Sequence, residues 1–259
     1  MALRRVLSVG AAVVAVAAMA ALAPAQGSPA AVAPKGTVTV SAAASLKDAF
    51  PVIGAAFQKR FPGTVVKFNF GGSAALVGQI RAGAPVGVLA PGSEPTMGKA
   101  VNAGLVGRPL LFAKSTMAIA MPPSNPARIT SLADLSRPGV LVAVCDVAVP
   151  CGAAARDLLA RNSVAVTPVT RELDVRQVLG KVMADEVDAG IVYVTDVRAA
   201  GSKVTSVSIA PEKNVTTTYP IAAVTGSTNP SAASAFVAYV RFSPSAQGIL
   251  RAYGFAKPW

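Results

Sequence analysis

Apolar positions along this chain follow two rhythms that keep alternating. Short β-branched runs bounded by Gly, Pro and Ser give way to longer stretches in which apolar residues recur every three to four positions, a switching that predicts an α/β architecture. Residues 37–40 read as a strand, and Leu46, Ala49, Phe50, Ile53 and Phe57 then mark one face of a helix over 45–60. A strand over 65–70 leads through Gly71-Gly72-Ser73 into a helix ending near residue 81. A strand over 86–89 and a helix over 94–103 follow, then strands over 117–121, 140–144, 190–194 and 219–224. Further helices are predicted over 152–161, 175–186, 230–241 and 244–252. The chain has no repeat, no low-complexity stretch and no flexible tether. Two lobes must therefore be joined by strands that pass between them, and 117–121 and 219–224 are the expected crossings.

The first thirty residues carry a different pattern. Arg4 and Arg5 precede an almost wholly apolar run over 6–23, and Ala23-Pro24-Ala25 supplies the small-x-small pattern of a signal peptidase site. The run approaches membrane-spanning length, so an anchor is the rival reading. Its alanine content and the closing cleavage pattern favour an export signal over 1–25 and a flexible lead over 26–36. No Cys follows the run for lipid attachment, and no later apolar segment reaches spanning length. The expectation is an exported soluble protein, periplasmic or held at the cell envelope.

Composition narrows the chemistry. The 259 residues are 53% hydrophobic and 14% charged, which supports a packed core and excludes global disorder. The chain has no histidine, so His-based triads and proton shuttles are absent, and two cysteines are too few for a structural zinc or an iron–sulfur centre. Aromatics at 5% are too sparse for nucleic-acid stacking platforms. The net charge of +12 falls to +10 when Arg4 and Arg5 leave with the signal. Its longest run after the signal is only Lys59-Arg60, so it reads as a solvated surface that could steer an anion, with no nucleic-acid partner. Cys145 and Cys151 lie six apart, and in an exported protein such a pair is expected to form a disulfide; two reduced buried thiols are the alternative.

Gly-x-Ser-x-Gly, Ser-x-x-Lys, Walker A and Gly-x-Gly-x-x-Gly signatures are all missing. Of the acids, Asp146 and Asp174 stand at strand ends, where a loop residue and a helix N-cap are the plain readings. What recurs is a strand ending in small residues just before a helix. The four instances are Ala42-Ala43-Ala44-Ser45, Gly71-Gly72-Ser73, Pro150-Cys151-Gly152 and Leu173-Asp174-Val175. Each junction leaves unpaired N–H groups at the positive end of a helix dipole. One alone is ordinary capping; several converging make an anion cradle without a charged side chain.

Ser41-Ala42-Ala43-Ala44-Ser45-Leu46 closely resembles the opening motif of bacterial periplasmic molybdate-binding proteins. Gly72-Ser73-Ala74-Ala75-Leu76, the segment Gln79-Ile80-Arg81-Ala82-Gly83-Ala84-Pro85, Val149-Pro150-Cys151-Gly152, Asp174-Val175-Arg176, the run from Ala189 to Asp196 and Tyr253-Gly254-Phe255 resemble later motifs in the family's order. The resemblance covers residues 37–257. It implies a two-lobed periplasmic-binding fold of class II type, with mixed sheets, flanking helices and two crossover strands as hinge. Lobe one would span 37–116 plus 225–259, and lobe two 117–224. It also implies a monomeric solute-binding component of an ABC importer, partnered by a membrane permease. Such a protein closes on one molybdate or tungstate ion without catalysis, cofactor or direct metal ligation by a side chain.

Carried over residue by residue, Ser45 and Ser73 would each give a hydroxyl and an N–H, Cys151 and Val175 an N–H each, and Tyr193 its phenol. Tyr193 also fits a plain buried strand aromatic. Because only the N–H of Cys151 is needed, its sulfur is free for Cys145, and the disulfide is expected to stiffen the loop that aims this N–H. A ring of neutral donors selects by size and offers nothing to an oxyanion that must itself donate. Sulfate is the same-class alternative. An exported hydrolase using Ser45 or Ser73 is the different-class one, weakened by the absent base. The chain departs from the family after Ala84-Pro85, reading Val86-Gly87-Val88-Leu89-Ala90-Pro91-Gly92-Ser93 where relatives carry acids outside these five contacts.

Overall fold

The computed structural model describes Met1, Ala2 and residues 33–258; the rest of the expected signal, and the lead as far as residue 32, lie outside the described residues. β1 (Gly36–Ala43) takes β2 (Thr64–Gly71) in parallel on one side and β3 (Val88–Ala90) in parallel on the other. The expected helix over 45–60 is divided. Ala44–Leu46 forms a 3₁₀ turn that buries Ser45 and Leu46, and α1 (Ala49–Arg60) starts only after Lys47 and Asp48, with Phe50, Ile53 and Phe57 facing inward. α2 (Ser73–Arg81) and α3 (Glu94–Asn102) follow β2 and β3.

β4 (Leu110–Met121) is much longer than its apolar end suggested, because Lys114-Ser115-Thr116 interrupts the hydrophobic run without ending the strand. The second half of the fold contains β5 (Val142–Cys145), α4 (Pro150–Arg161), β6 (Thr170–Glu172), α5 (Val175–Met183), β7 (Ala189–Tyr193), α6 (Val194–Ala200) and β8 (Thr205–Ser208). β9 (Thr216–Ala223), α7 (Pro230–Phe242) and α8 (Pro244–Ala252) return to the first half. Among the described residues the strands run in the order β2-β1-β3-β9-β4-β7-β5-β6, with β8 also on β4. β5 pairs in parallel with β6 and β7, whereas β9 and β7 run antiparallel to β4.

The buried apolar residues divide at β4 and β9. Met117 and Ile119 pack with Ile191, Val178 and Leu158, while Phe112, Tyr219 and Ile221 pack with Val40, Phe50 and Phe236. A smaller cluster around Leu76, Leu89 and Met97 adjoins the latter side. Between the two cores β4 and β9 form a hydroxyl-rich ribbon, with Lys114 opposite Thr218, Ser115 opposite Thr217 and Thr116 opposite Thr216. The segments 117–121 and 219–224, expected as crossings, belong to β4 and β9, and the polar ribbon precedes them in each strand.

Candidate functional site

Five strand-to-helix junctions and the end of β7 meet around one small cavity. The turn after β1 brings Ala43, Ala44 and Ser45, the entry to α2 brings Gly71, Gly72 and Ser73, and Gly92 follows β3. From the other half come Val149, Pro150 and Cys151 at the start of α4, Leu173, Asp174 and Val175 at the start of α5, and Tyr193. All five residues expected to contact a ligand line this cavity, and each is no more than 4% exposed. About 20 Å³ is open to the centre of a water molecule. Adding back the water's own radius gives an envelope about 3 Å in radius, the dimension of a four-oxygen anion.

The helix starts explain why these particular N–H groups face a void. In α4, Pro150 has no N–H, and those of Gly152 and Ala153 return to the Val149 carbonyl at 3.1 and 3.0 Å, which leaves Cys151. In α5 the Asp174 carboxylate caps the N–H groups of Arg176 and Gln177 at 2.8 and 3.1 Å, which leaves Val175. Ser73 opens α2 behind Gly72, whose extended backbone provides no side-chain cap. The N–H groups of Ser45, Ser73, Cys151 and Val175 have no acceptor among the described residues. α2, α4 and α5 also point their positive dipole ends at the same space.

The hydroxyls are arranged in the same sense. Ser73 Oγ accepts from the Gly92 N–H at 2.9 Å, and Ser45 Oγ lies 3.2 Å from the Tyr219 hydroxyl. The Tyr193 hydroxyl is buried with no partner in hydrogen-bond geometry, although Thr217 and Tyr219 flank it. Burial is the main cause that pushes its pKa far up, so the phenol keeps its proton and remains a donor.

Among the described residues no Lys or Arg lines the cavity. Its one carboxylate, Asp174, also accepts from Gln177 Nε2 at 3.0 Å. Behind Tyr193, the fully buried Asp196 accepts the Tyr193 N–H at 3.0 Å and lies 3.0 Å from Arg176 Nε, a charge contact without hydrogen-bond alignment. Its pKa is raised to about 6, chiefly by burial and against the pull of Arg176. Arg176 also pairs with Asp48, which precedes α1 in the other half. Neither serine has a general base as hydrogen-bond partner, and no His/Cys/Asp/Glu group among the described residues could hold a metal ion. The arrangement suits a small anion gripped by neutral donors.

Cys145 and Cys151 are joined by a disulfide with Cα atoms 5.7 Å apart. Asp146, in the loop it closes, accepts the Ala148 N–H at 2.8 Å. Gly152 sits so close to this loop that a Cβ there would lie 1.9 Å from the Asp146 carbonyl oxygen. Three participants were not legible in the sequence. Tyr219 appeared only as part of a crossing strand, Gly92 only within the divergent segment, and Arg176 was a motif residue without a role; no local signal sets any of them against its partner.

Residues 38–256 match the bacterial extracellular solute-binding protein family. The chain belongs to that family. This solute-binding protein is 41% identical over 223 residues to the molybdate-binding protein ModA of Mycobacterium tuberculosis, covering 86% of this chain and 85% of the relative. It superposes on the periplasmic molybdate-binding protein of Azotobacter vinelandii with a TM-score of 0.76 at 18% identity, over 86% of this chain and all of that one. The sulfate-binding protein SubI of Mycobacterium tuberculosis gives a TM-score of 0.73 at 23% identity, over 86% and 87% of the two chains. The periplasmic-binding fold anticipated from the motifs is thus the fold of this solute-binding protein. Among its described residues no helix is long and apolar enough to cross a membrane.

Proposed function

We propose that this protein captures molybdate, and tungstate with it, outside the membrane and delivers the ion to the permease of an ABC importer. Lobe one, residues 37–116 plus 225–259, and lobe two, residues 117–224, close on the ion by bending at the hydroxyl-rich β4–β9 ribbon. Ser45 and Ser73 donate from the first lobe through hydroxyl and N–H. Cys151 and Val175 donate N–H groups from the second, and Tyr193 donates its phenol. The protein leaves its mature form with the signal over 1–25 removed, acts as a monomer and performs no chemistry on its ligand.

The observation that carries this reading is a buried cavity walled by unpaired donors from both halves, with no cation in it. Such a wall holds a dianion through charge-assisted hydrogen bonds and helix dipoles and releases it without breaking a salt bridge. The relative of 41% identity, itself a molybdate-binding protein, supports the choice of ion. Calorimetric titration of the mature protein with molybdate, tungstate, sulfate and phosphate tests it. Molybdate and tungstate are expected to bind saturably at one site, and sulfate and phosphate far more weakly. Tighter binding of sulfate, or no heat with either metal oxyanion, defeats the proposal.

A further inference from the structure

We propose that Tyr219 is a positioning residue that holds Ser45 as a donor toward the cavity, so that the site rejects oxyanions carrying their own proton. The inference rests on the oxyanion reading above and assigns to that site a specificity determinant outside the cavity wall.

Tyr219 is fully buried on β9, its ring packed against Phe112, Tyr193 and Phe255 at centroid distances of 6.3, 6.0 and 5.3 Å. Among the described residues its hydroxyl has one partner in hydrogen-bond geometry, Ser45 Oγ at 3.2 Å. One proton lies between the two oxygens, and either group can supply it. Were Ser45 the donor, the phenolic hydrogen would have no acceptor in hydrogen-bond geometry among the described residues, since the Tyr193 hydroxyl flanks it without the alignment of a hydrogen bond. An unmet buried donor is costlier and rarer than an acceptor with a spare lone pair. Tyr219 therefore donates, Ser45 Oγ accepts, and the serine hydrogen is left for the cavity.

Ser73 reaches the same state by another route. Its partner is the Gly92 N–H at 2.9 Å, which can only donate, so the Ser73 hydrogen is also left over. The oxygens of Asp174 already take two backbone N–H groups and the Gln177 amide. A fully deprotonated oxyanion meets donors at both serines. Hydrogen phosphate needs an acceptor, and Ser45 could turn to provide one only if Tyr219 released it.

A double-mutant cycle on molybdate affinity, with Tyr219→Phe, Ser45→Ala and the double variant, tests the assignment by calorimetry. Phe keeps the ring and its packing and removes only the hydroxyl. Tyr219→Phe is expected to weaken molybdate binding about three- to tenfold in the wild-type background and to have no further effect once Ser45 is Ala. Phosphate is expected to compete with molybdate measurably better in Tyr219→Phe than in the wild type. Full additivity, unchanged molybdate affinity in Tyr219→Phe, or unchanged phosphate competition each overturns the proposal. A wild-type protein that binds no molybdate would instead defeat the oxyanion reading, so the two failures remain distinct.

Discussion

Tyr193 is 2% exposed and its hydroxyl finds no acceptor or donor among the described residues. Leaving such a group unmet costs on the order of 1–3 kcal/mol, so a ligand that completes it recovers that cost on binding. Tyr193→Phe is therefore expected to weaken oxyanion binding by about 1–3 kcal/mol while leaving the ligand-free protein as stable as before or slightly more so. Ser73→Ala should lose a similar amount of binding but also strand the Gly92 N–H, and so lower stability as well. Losses below a few tenths of a kcal/mol in both variants, read by titration, would move the site elsewhere. Asp196 carries a pH dependence of definite sign. Its carboxyl titrates at about 6 in the fold against 3.8 ordinarily, because burial outweighs Arg176 and the Tyr193 N–H. A raised carboxyl pKa favours the protonated folded state, so this contribution is complete below about pH 4 and is lost as pH rises through 6. The loss amounts to at most about 3 kcal/mol. Half-buried Asp134 behaves oppositely: the Thr130 N–H leads the causes that hold it at about 2, and its contribution is lost as pH falls toward that value. Denaturant unfolding of the wild type and Asp196→Asn at pH 4 to 8 should show the wild type losing ground between pH 4 and 6. A difference that stays flat across that interval contradicts the assignment.

At the scale of elements, α4 and the loop before it form one device. The disulfide closes the loop from Cys145 to Cys151, Asp146 turns back on the Ala148 N–H, and Gly152 lets α4 lie against the Asp146 carbonyl. These contacts fix the first turn of α4 and with it the Cys151 N–H. Replacing both cysteines by serine is expected to cost about 2 kcal/mol of stability for so short a loop and to weaken molybdate binding several-fold. Unchanged affinity after reduction or replacement would leave the disulfide with no part in aiming the N–H. Such junctions were legible from sequence because a strand end, a small residue and a helix start lie within a few positions of one another, and their unpaired N–H groups follow from local geometry alone. Longer-range partnerships were not. Tyr219 and Ser45 are 174 positions apart, and Arg176 and Asp48 are 128 apart. β6 and β8 escaped notice because Thr170–Glu172 and Thr205–Ser208 are short and polar, with no buried residue in either. β4 looked shorter than it is for a related reason: Lys114-Ser115-Thr116 pairs across a ribbon between cores, where hydroxyls replace the apolar residues that mark a strand.

The proposed closure would involve the whole molecule, and Gly72 is where the backbone of one half comes close to the other. A Cβ on this residue would lie 2.4 Å from the Leu173 carbonyl oxygen, in the segment that leads into α5. The atom met is a backbone carbonyl oxygen and not the flexible end of a side chain, so the backbone on one side would have to shift to admit even a methyl group. The backbone of Gly72, at φ −62° and ψ 127°, suits any residue, so Ala there adds no strain once the halves are apart. Gly72→Ala is thus expected to unfold at the wild-type temperature yet bind molybdate about tenfold or more weakly, a closure penalty of about 1.4 kcal/mol or greater. The Arg176–Asp48 ion pair spans the same seam and joins the segment before α1 to α5. Gly98→Ala provides the control: it adds the same methyl to α3, where nothing lies within 4 Å, and should leave affinity unchanged. Small-angle scattering separates the explanations. If closure is blocked, molybdate will contract the wild type and Gly98→Ala but not Gly72→Ala. Wild-type affinity and full contraction in Gly72→Ala would mean that the approach of Gly72 to the Leu173 carbonyl does not limit closure, and would overturn this account.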